Sequence, residues 1–329
     1  MSQTIFSPEP HRGWLPWAWI SPIICILLVA ISSVPFDYAL EWIGAVDAKG
    51  EPNSAFGFCL FLLLPFASMG VAVWIWVRFV ERRSLATVGL TGTLRLRKYL
   101  AGLAVGIGMM ALAIGSIWLA GGYISGEILP AFSSPVALFW MAVLLACFML
   151  QSGVEEFIFR GWLLSAATRR WNLTAGFIAS SSAFTFLHFS PHQPVREIVM
   201  AFLFGMFACA WARRAGSIWG VMGWHAGWNW FAGVGFAVPI TGFDLRLPAL
   251  LVTLTPSGPN SLTGGHAGPE SSAITIGLLA AATLLLLLWP QRCKPHGFGS
   301  MDWPLDQPSN PGATIDRLET ILNLLKPRS

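Results

Sequence analysis

Residues 135–164 read PVALFWMAVLLACFMLQSGVEEFIFRGWLL, a run of twenty uncharged residues followed by two adjacent glutamates and an arginine. About 20 apolar residues are enough for a helix to cross the hydrocarbon core of a bilayer. Charged side chains inside such a helix are costly, so Glu155, Glu156 and Arg160 are candidate functional residues, with a structural packing network as the alternative. The stretch therefore predicts a membrane-spanning helix that carries a polar site.

The whole chain has the same apolar character. Its 329 residues are 55% hydrophobic and 11% charged, against roughly 25% charged in an ordinary soluble domain. This excludes a soluble globular protein and predicts an all-α, polytopic bundle of about eight transmembrane helices with a polar cavity inside the membrane. The predicted spans are 14–34, 55–77, 99–121, 135–164, 173–189, 198–212, 217–238 and 273–289.

The basic residues predict the orientation of the bundle. With the N-terminus in the cytoplasm, 17 of the 20 Lys and Arg residues fall in inner segments, leaving only Lys49, Arg196 and Arg246 outside. The positive-inside rule therefore favours an N-in, C-in protein. The chain starts without a Lys/Arg-rich segment or a cleavage site, so we expect no removable signal peptide and a prokaryotic inner (plasma) membrane location. The net charge of +4 comes with no nucleic-acid-binding motif.

Four regions are predicted along the chain. Residues 1–134 hold about three helices and an interfacial segment at 85–100, where Arg and Leu alternate. Residues 135–238 form a helical core, residues 239–289 an outer loop and the last helix, and residues 290–329 a cytoplasmic tail with an amphipathic helix.

Helix geometry predicts that two pairs of residues in the core lie close together. Adjacent helical residues point about 100° apart, whereas Glu156 and Arg160 are four apart with the acid first. This predicts an ion pair between them that leaves Glu155 free.

The midpoint between Glu155 and His188 falls in the turn at 170–172, so an antiparallel hairpin puts both about 24 Å from that turn. A carboxylate and an imidazole at one depth are able to share a site.

His225 and Asn229 are also four residues apart and share one helix face. The flanking Gly220, Gly223 and Gly227 are typical of a helix that closely approaches a neighbour. A packing face explains the glycines, but it does not explain an imidazole and an amide beside them.

In order, EEFIFR, FTFLH and HAGWN resemble the CPBP family, which comprises type 2 CAAX prenyl proteases, Abi proteins and bacteriocin-processing intramembrane proteases. The family pattern EExxxR, FxxxH and HxxxN/D is met by Glu155, Glu156 and Arg160, by Phe184 and His188, and by His225 and Asn229. The resemblance covers residues 135–238. It implies an intramembrane endopeptidase acting on a membrane-bound or lipidated protein or peptide.

The resemblance also implies roles for these residues. Glu155 would be the general base, His188 would hold and polarise the water, and His225 with Asn229 would stabilise the oxyanion. Glu156, Arg160 and Phe184 would support the site. Glu155, His188 and His225 are also a ligand set for catalytic zinc. We favour a mechanism without metal or other cofactor, because neither histidine lies in an H-E-x-x-H helix.

Two other classes of protein stay open from the sequence. One is a non-catalytic membrane scaffold or bacteriocin self-immunity protein that keeps the motifs as structure. The other is a proton-coupled transporter, although no internal repeat supports it. The sequence further leads us to expect a site nearer the cytoplasmic face, with substrates presented from the membrane or from the cytoplasm.

Overall fold

Capping residues set the start of three helices of the core. The side chains of Ser54, Ser134 and Asn172 accept hydrogen bonds from the backbone N–H of the residue three positions on, at 3.1, 3.2 and 2.8 Å. Such bonds satisfy N–H groups that the first turn of a helix leaves unpaired.

The structure is a computed structural model, and it describes residues 4–289. Its helices are α1 (Ser21–Trp42), α2 (Ala55–Ile75), α3 (Arg95–Leu119), α4 (Pro135–Glu156), α5 (Leu164–Arg170), α6 (Leu173–Leu187), α7 (Val195–Ala215), α8 (Trp219–Phe236), α9 (Asn260–Thr263) and α10 (Ala273–Leu288). Its strands are β1 (Tyr123–Ile128) and β2 (Val252–Pro256), and π-helical turns occupy Trp76–Val80 and Phe157–Leu163. The predicted tail helix lies outside the described residues.

Five of the described helical segments are long and apolar enough to cross a membrane: Ser21–Trp42, Ala55–Val80, Arg95–Leu119, Pro135–Arg170 and Val195–Ala215. The helical membrane bundle is confirmed at this level. The predicted count of eight spans is not established, because α6 and α10 are short apolar helices and α8 is not among the five. α8 carries five glycines, His225 and Asn229, and most of its residues are buried inside the protein.

The structure corrects both bounds of the first predicted helix and the start of the third. The first helix begins at Ser21 rather than at residue 14, since Pro22 lies in its first turn and the backbone of Trp14 bonds instead to the Val80 carbonyl. It then continues through Pro35 to Trp42. α3 begins at Arg95, so the last six residues of the predicted interfacial segment belong to a long apolar helix.

The fold is not purely α-helical. β1 and β2 pair antiparallel with Tyr123 opposite Pro256, and the Tyr123 hydroxyl donates to the Thr263 carbonyl at 3.1 Å. The predicted outer loop therefore contains ordered structure. Two short strands far apart in sequence give no periodic signal, which is why the sequence did not predict them.

α3 and α8 pack with their backbones in near contact. A Cβ atom built on Gly106 would lie 2.1 Å from the Trp224 carbonyl oxygen, and one on Gly223 would lie 2.0 Å from that of Tyr99. Gly227 faces α3 in the same way. The predicted close approach is confirmed: Gly223 and Gly227 face α3, and the Gly220 carbonyl lies against Gly102 of α3 while its own Cβ position faces the ring of Trp211.

Replacing Gly106 by alanine is expected to destabilise the protein by about 1–3 kcal/mol, because the new methyl group forces backbones apart in a packed interface. Gly108 lies on the same helix, and a Cβ atom there would meet nothing within 4 Å. Gly108→Ala is therefore the matched control, which the higher helix propensity of alanine should leave as stable or more stable. Unfolding in detergent, followed by tryptophan fluorescence, measures both. Equal losses in the two variants would contradict the packing argument.

The two ends of the bundle differ in charge. At one end, the N-terminal stretch bonds to the segment after α2 through Gly13 and Glu81, and Arg169 and Arg170 donate to its Ser7 and Leu15 carbonyls. Three of the described Lys and Arg residues lie at the opposite end, namely Lys49, Arg196 and Arg246. The basic end holds Arg12, Arg78, Arg82, Arg83, Arg95, Arg97, Lys98, Arg169, Arg170, Arg213 and Arg214.

A buried ion pair organises the basic end. Arg83 Nη1 lies 3.2 Å from Glu81 Oε2, and both side chains are fully buried. Glu81 Oε1 accepts hydrogen bonds from the indoles of Trp76 at 3.0 Å and Trp162 at 2.7 Å, and Arg83 donates to Ser165 at 2.6 Å. The segment after α2 is thereby fixed to the chain that leads into α5.

Candidate active site

A cavity of about 600 Å³ lies between α2, α4, α6, α7 and α8. All four residues predicted to be catalytic line it, namely Glu155, His188, His225 and Asn229. The structure thus brings together side chains from α4, from the residue that follows α6 and from α8, which are separate in the sequence. Much of the remaining wall is apolar and is formed by Phe58, Phe61, Leu62, Phe66, Phe148, Phe184, Met200 and Phe204.

Glu156 lies beside this cavity and makes its polar contacts through one carboxylate oxygen. Its Oε1 atom lies 3.0 Å from Arg160 Nη1 and 2.9 Å from His225 Nδ1. The ion pair with Arg160 that helix geometry predicts is present, with both side chains completely buried. The contact with His225 joins α4 to α8 across 69 positions of sequence, and the sequence analysis did not predict it.

Glu155 points away from that pair. Its carboxylate lines the cavity, and its Oε2 atom accepts no hydrogen bond from the described residues. The nearest basic atom paired with it is His225 Nε2 at 3.7 Å. α4 ends at Glu156 and continues as the π-helical turn Phe157–Leu163, a feature frequent at functional sites. The two adjacent glutamates therefore have different environments.

Phe184 connects the arginine to the second motif. The Arg160 guanidinium carbon lies 4.4 Å from the centroid of the Phe184 ring, a cation–π contact. The same ring stacks on the imidazole of His188 with centroids 4.2 Å apart. Arg160, Phe184 and His188 thus form one stack from the buried pair to the cavity wall.

Hydrogen bonds fix the tautomers of both histidines. His188 Nδ1 lies 2.8 Å from the Phe184 carbonyl oxygen, and His225 Nδ1 lies 2.9 Å from Glu156 Oε1. Both oxygens are acceptors, since Glu156 is ion-paired with Arg160, so each Nδ1 carries a proton. In the neutral imidazoles, each Nε2 is then an acceptor. A neutral His225 therefore cannot donate to an oxyanion through Nε2.

Gln151 is a cavity residue that the sequence analysis missed. It is buried, lies one helical turn before Glu155, and accepts a hydrogen bond from Asn229 Nδ2 at 3.5 Å and from Ser152 at 3.0 Å. Its spacing of four from Glu155 is the signal that could have identified it. This contact orients the Asn229 amide.

Glu270 is a second missed residue, and it comes from the segment between α9 and α10. Its Oε1 atom accepts from Trp228 Nε1 at 2.7 Å, and its Oε2 atom accepts from both the backbone N–H and the hydroxyl of Thr241 at 2.9 Å. It holds this segment against α8, where it closes part of the cavity. No motif or spacing in the sequence signals this role.

The possible zinc ligands Glu155, His188 and His225 are not arranged around a common metal position in the described part of the chain. Glu155 and His225 approach each other, but no group of three His, Cys, Asp or Glu side chains there is arranged to hold a metal ion. His188 is held instead by stacking on Phe184 and by the Phe184 carbonyl. The residues present do not fit a metal centre, and we derive no step through one.

The fold and the site define a multi-pass membrane protein with a carboxylate and two histidines in a cavity between its helices. A family model described as Rce1-like, type II CAAX prenyl endopeptidase Rce1-like, matches residues 133–231, which include all three motifs. The predicted family resemblance is confirmed over these residues, and it supports a CAAX-type protease. Neither the curated proteins nor the solved structures compared with the chain gave a match.

Proposed function

We propose that this protein is an intramembrane endopeptidase in which Glu155 activates the attacking water. The two adjacent glutamates have different surroundings, and this difference supports Glu155 as the base. Glu156 is bound to Arg160 and His225 outside the cavity lining, whereas Glu155 lines the cavity and has His225 Nε2 3.7 Å from its Oε2 atom. A general base needs a carboxylate within hydrogen-bond reach of the water that it activates, and of the two glutamates only Glu155 lines the cavity.

His188 accepts a hydrogen bond from the second proton of this water. With Nδ1 bonded to the Phe184 carbonyl, its Nε2 atom accepts. A water molecule that donates one proton to Glu155 and the other to His188 has its oxygen lone pairs free for attack on a scissile carbonyl. This agrees with the role implied by the family motif, in which His188 holds and polarises the water.

The developing oxyanion is stabilised by Asn229, whose Nδ2 group is a donor in every protonation state. His225 joins it only after Nε2 has received a proton, and Glu155 Oε2 is 3.7 Å away to supply one. Attack forms the C–O bond, and collapse breaks the C–N bond. As that bond breaks, His225 Nε2 passes the proton that came from the water to the leaving amine, and the products are the carboxylic acid and the amine.

The test is cleavage of a library of membrane-anchored peptides by the detergent-purified protein, with and without a metal chelator. We expect cleavage that the chelator does not change. Loss of cleavage on chelation, restored by zinc, would contradict the glutamate mechanism. Absence of cleavage by a folded protein would favour the scaffold or self-immunity function instead.

Replacing Asn229 by alanine is expected to lower kcat by about 10²–10³-fold with little change in KM, as for the removal of one oxyanion donor. Asn260→Ala makes the same chemical change in α9, away from the cavity lining, and should leave both constants unchanged. Steady-state kinetics on one cleaved peptide compares them. A rise in KM with constant kcat in Asn229→Ala would show that the amide binds substrate rather than the transition state.

A further inference from the structure

The loops that line the cavity all lie at one end of the bundle. They are residues 49–51 between α1 and α2, residues 190–194 between α6 and α7, and residues 240–243 and 266–271 between α8 and α10. Lys49, Glu51, His192 and His266 are exposed there, so the cavity opens at this end. The opposite end of the cavity is closed by the buried Glu156 and Arg160.

This open end is the one with few basic residues. It carries Lys49, Arg196 and Arg246, whereas eleven of the described Lys and Arg residues lie at the other end. Cytoplasmic loops collect Lys and Arg because the translocation of short basic segments is disfavoured. The basic end is therefore the cytoplasmic one.

From this geometry we propose that the cavity opens on the non-cytoplasmic face of the membrane and admits peptide segments from that side. This differs from the expectation of a site nearer the cytoplasm. Glu155 and His188 lie about 24 Å from the basic turn at 170–172, and the hydrocarbon core of a bilayer is about 30 Å thick. That distance puts Glu155 and His188 nearer the far face.

The substrate class follows, and this step rests on the proposed function. A lipidated C-terminus held at the cytoplasmic surface would face the closed, basic end. A membrane-anchored or exported polypeptide whose scissile bond lies at the non-cytoplasmic surface would instead reach Glu155 through the open end. The wall formed by Phe58, Phe61 and Phe148 fits apolar side chains next to that bond.

Cysteine labelling tests the orientation without requiring activity. The cysteines at 25, 59, 147 and 209 are buried, so a Cys293→Ser parent is a suitable background. Ser190→Cys and Ser257→Cys place single exposed thiols at the open end, and Thr93→Cys and Ala215→Cys place them at the basic end. All four sites are neutral, so these variants leave the charge pattern unchanged.

In intact cells of a bacterial host, a membrane-impermeant maleimide should label the first two variants, and it should label the other two only after permeabilisation. The reverse pattern, or labelling of all four in intact cells, would overturn the proposal. The expected labelling in a folded protein that cleaves no peptide would refute the proposed function but not the orientation. Reverse labelling in an active protease would refute only the orientation.

Discussion

Glu155→Gln is expected to lower the rate of peptide cleavage by about 10³-fold or more while the protein stays folded. Loss of a general base costs typically about 10²–10⁴-fold, and the carboxamide keeps the shape of the side chain without its basicity. Glu155 makes no buried ion pair like that of Glu156, so its neutral replacement leaves the Glu156–Arg160 contact intact.

Single-turnover cleavage of one membrane-anchored peptide measures this effect, with unfolding in detergent as the check on structure. Glu127→Gln is the matched control, because it makes the same change on β1, away from the cavity lining. The control should cleave at the parent rate. Parent-level cleavage by Glu155→Gln would refute the assignment of the base, whatever the behaviour of Glu156.

Arg160→Met is expected to destabilise the folded protein by about 3–5 kcal/mol. Removing one partner of a buried ion pair leaves the other charge uncompensated, and Glu156 has no exposed surface from which water could solvate it. The substitution also removes the cation–π contact with Phe184. It therefore acts on both the α4–α8 junction and the stack that holds His188.

Chemical unfolding in detergent, followed by tryptophan fluorescence, measures the loss. The control is Arg97→Met, an exposed arginine near the start of α3, whose replacement should change stability by less than about 0.5 kcal/mol. The double variant Glu156→Leu/Arg160→Met should lose less than the sum of the two single variants, because no unpaired carboxylate remains. Equal stability of Arg160→Met and Arg97→Met would contradict the structural role of the pair.

Helix positions were largely predictable because the signal is local. Most of the apolar runs coincide with helices of the structure, and the beginnings of α2, α4 and α6 agree with the predicted spans. The start of α1 was not predicted, since a hydropathy run does not show that residues 13 and 14 pair with residues 80 and 81. A proline in the first turn and a tertiary backbone contact set that boundary instead.

In the candidate site, too, only the contacts that have a local signal in the sequence were predictable. Spacing along one helix predicted the Glu156–Arg160 pair, and equal distances from one turn predicted that Glu155 and His188 share a site; both line the cavity. Spacing gave no information on the partner of His225, because the rotation of α8 about its axis decides that contact. Gly223 and Gly227 set this rotation by packing against α3.

Hydropathy and motif spacing alone predict a membrane protein with apolar helices, whose three motifs carry polar groups at helical spacing. Hydropathy and the 3.6-residue period are properties of the segment alone, so these features need no knowledge of the neighbours. Helix packing, in contrast, determines that His225 bonds to Glu156, that Gln151 and Glu270 hold the cavity wall, and that the cavity opens at the end with few basic residues. Those features depend on how helices rotate and pack against each other, and no single segment encodes that.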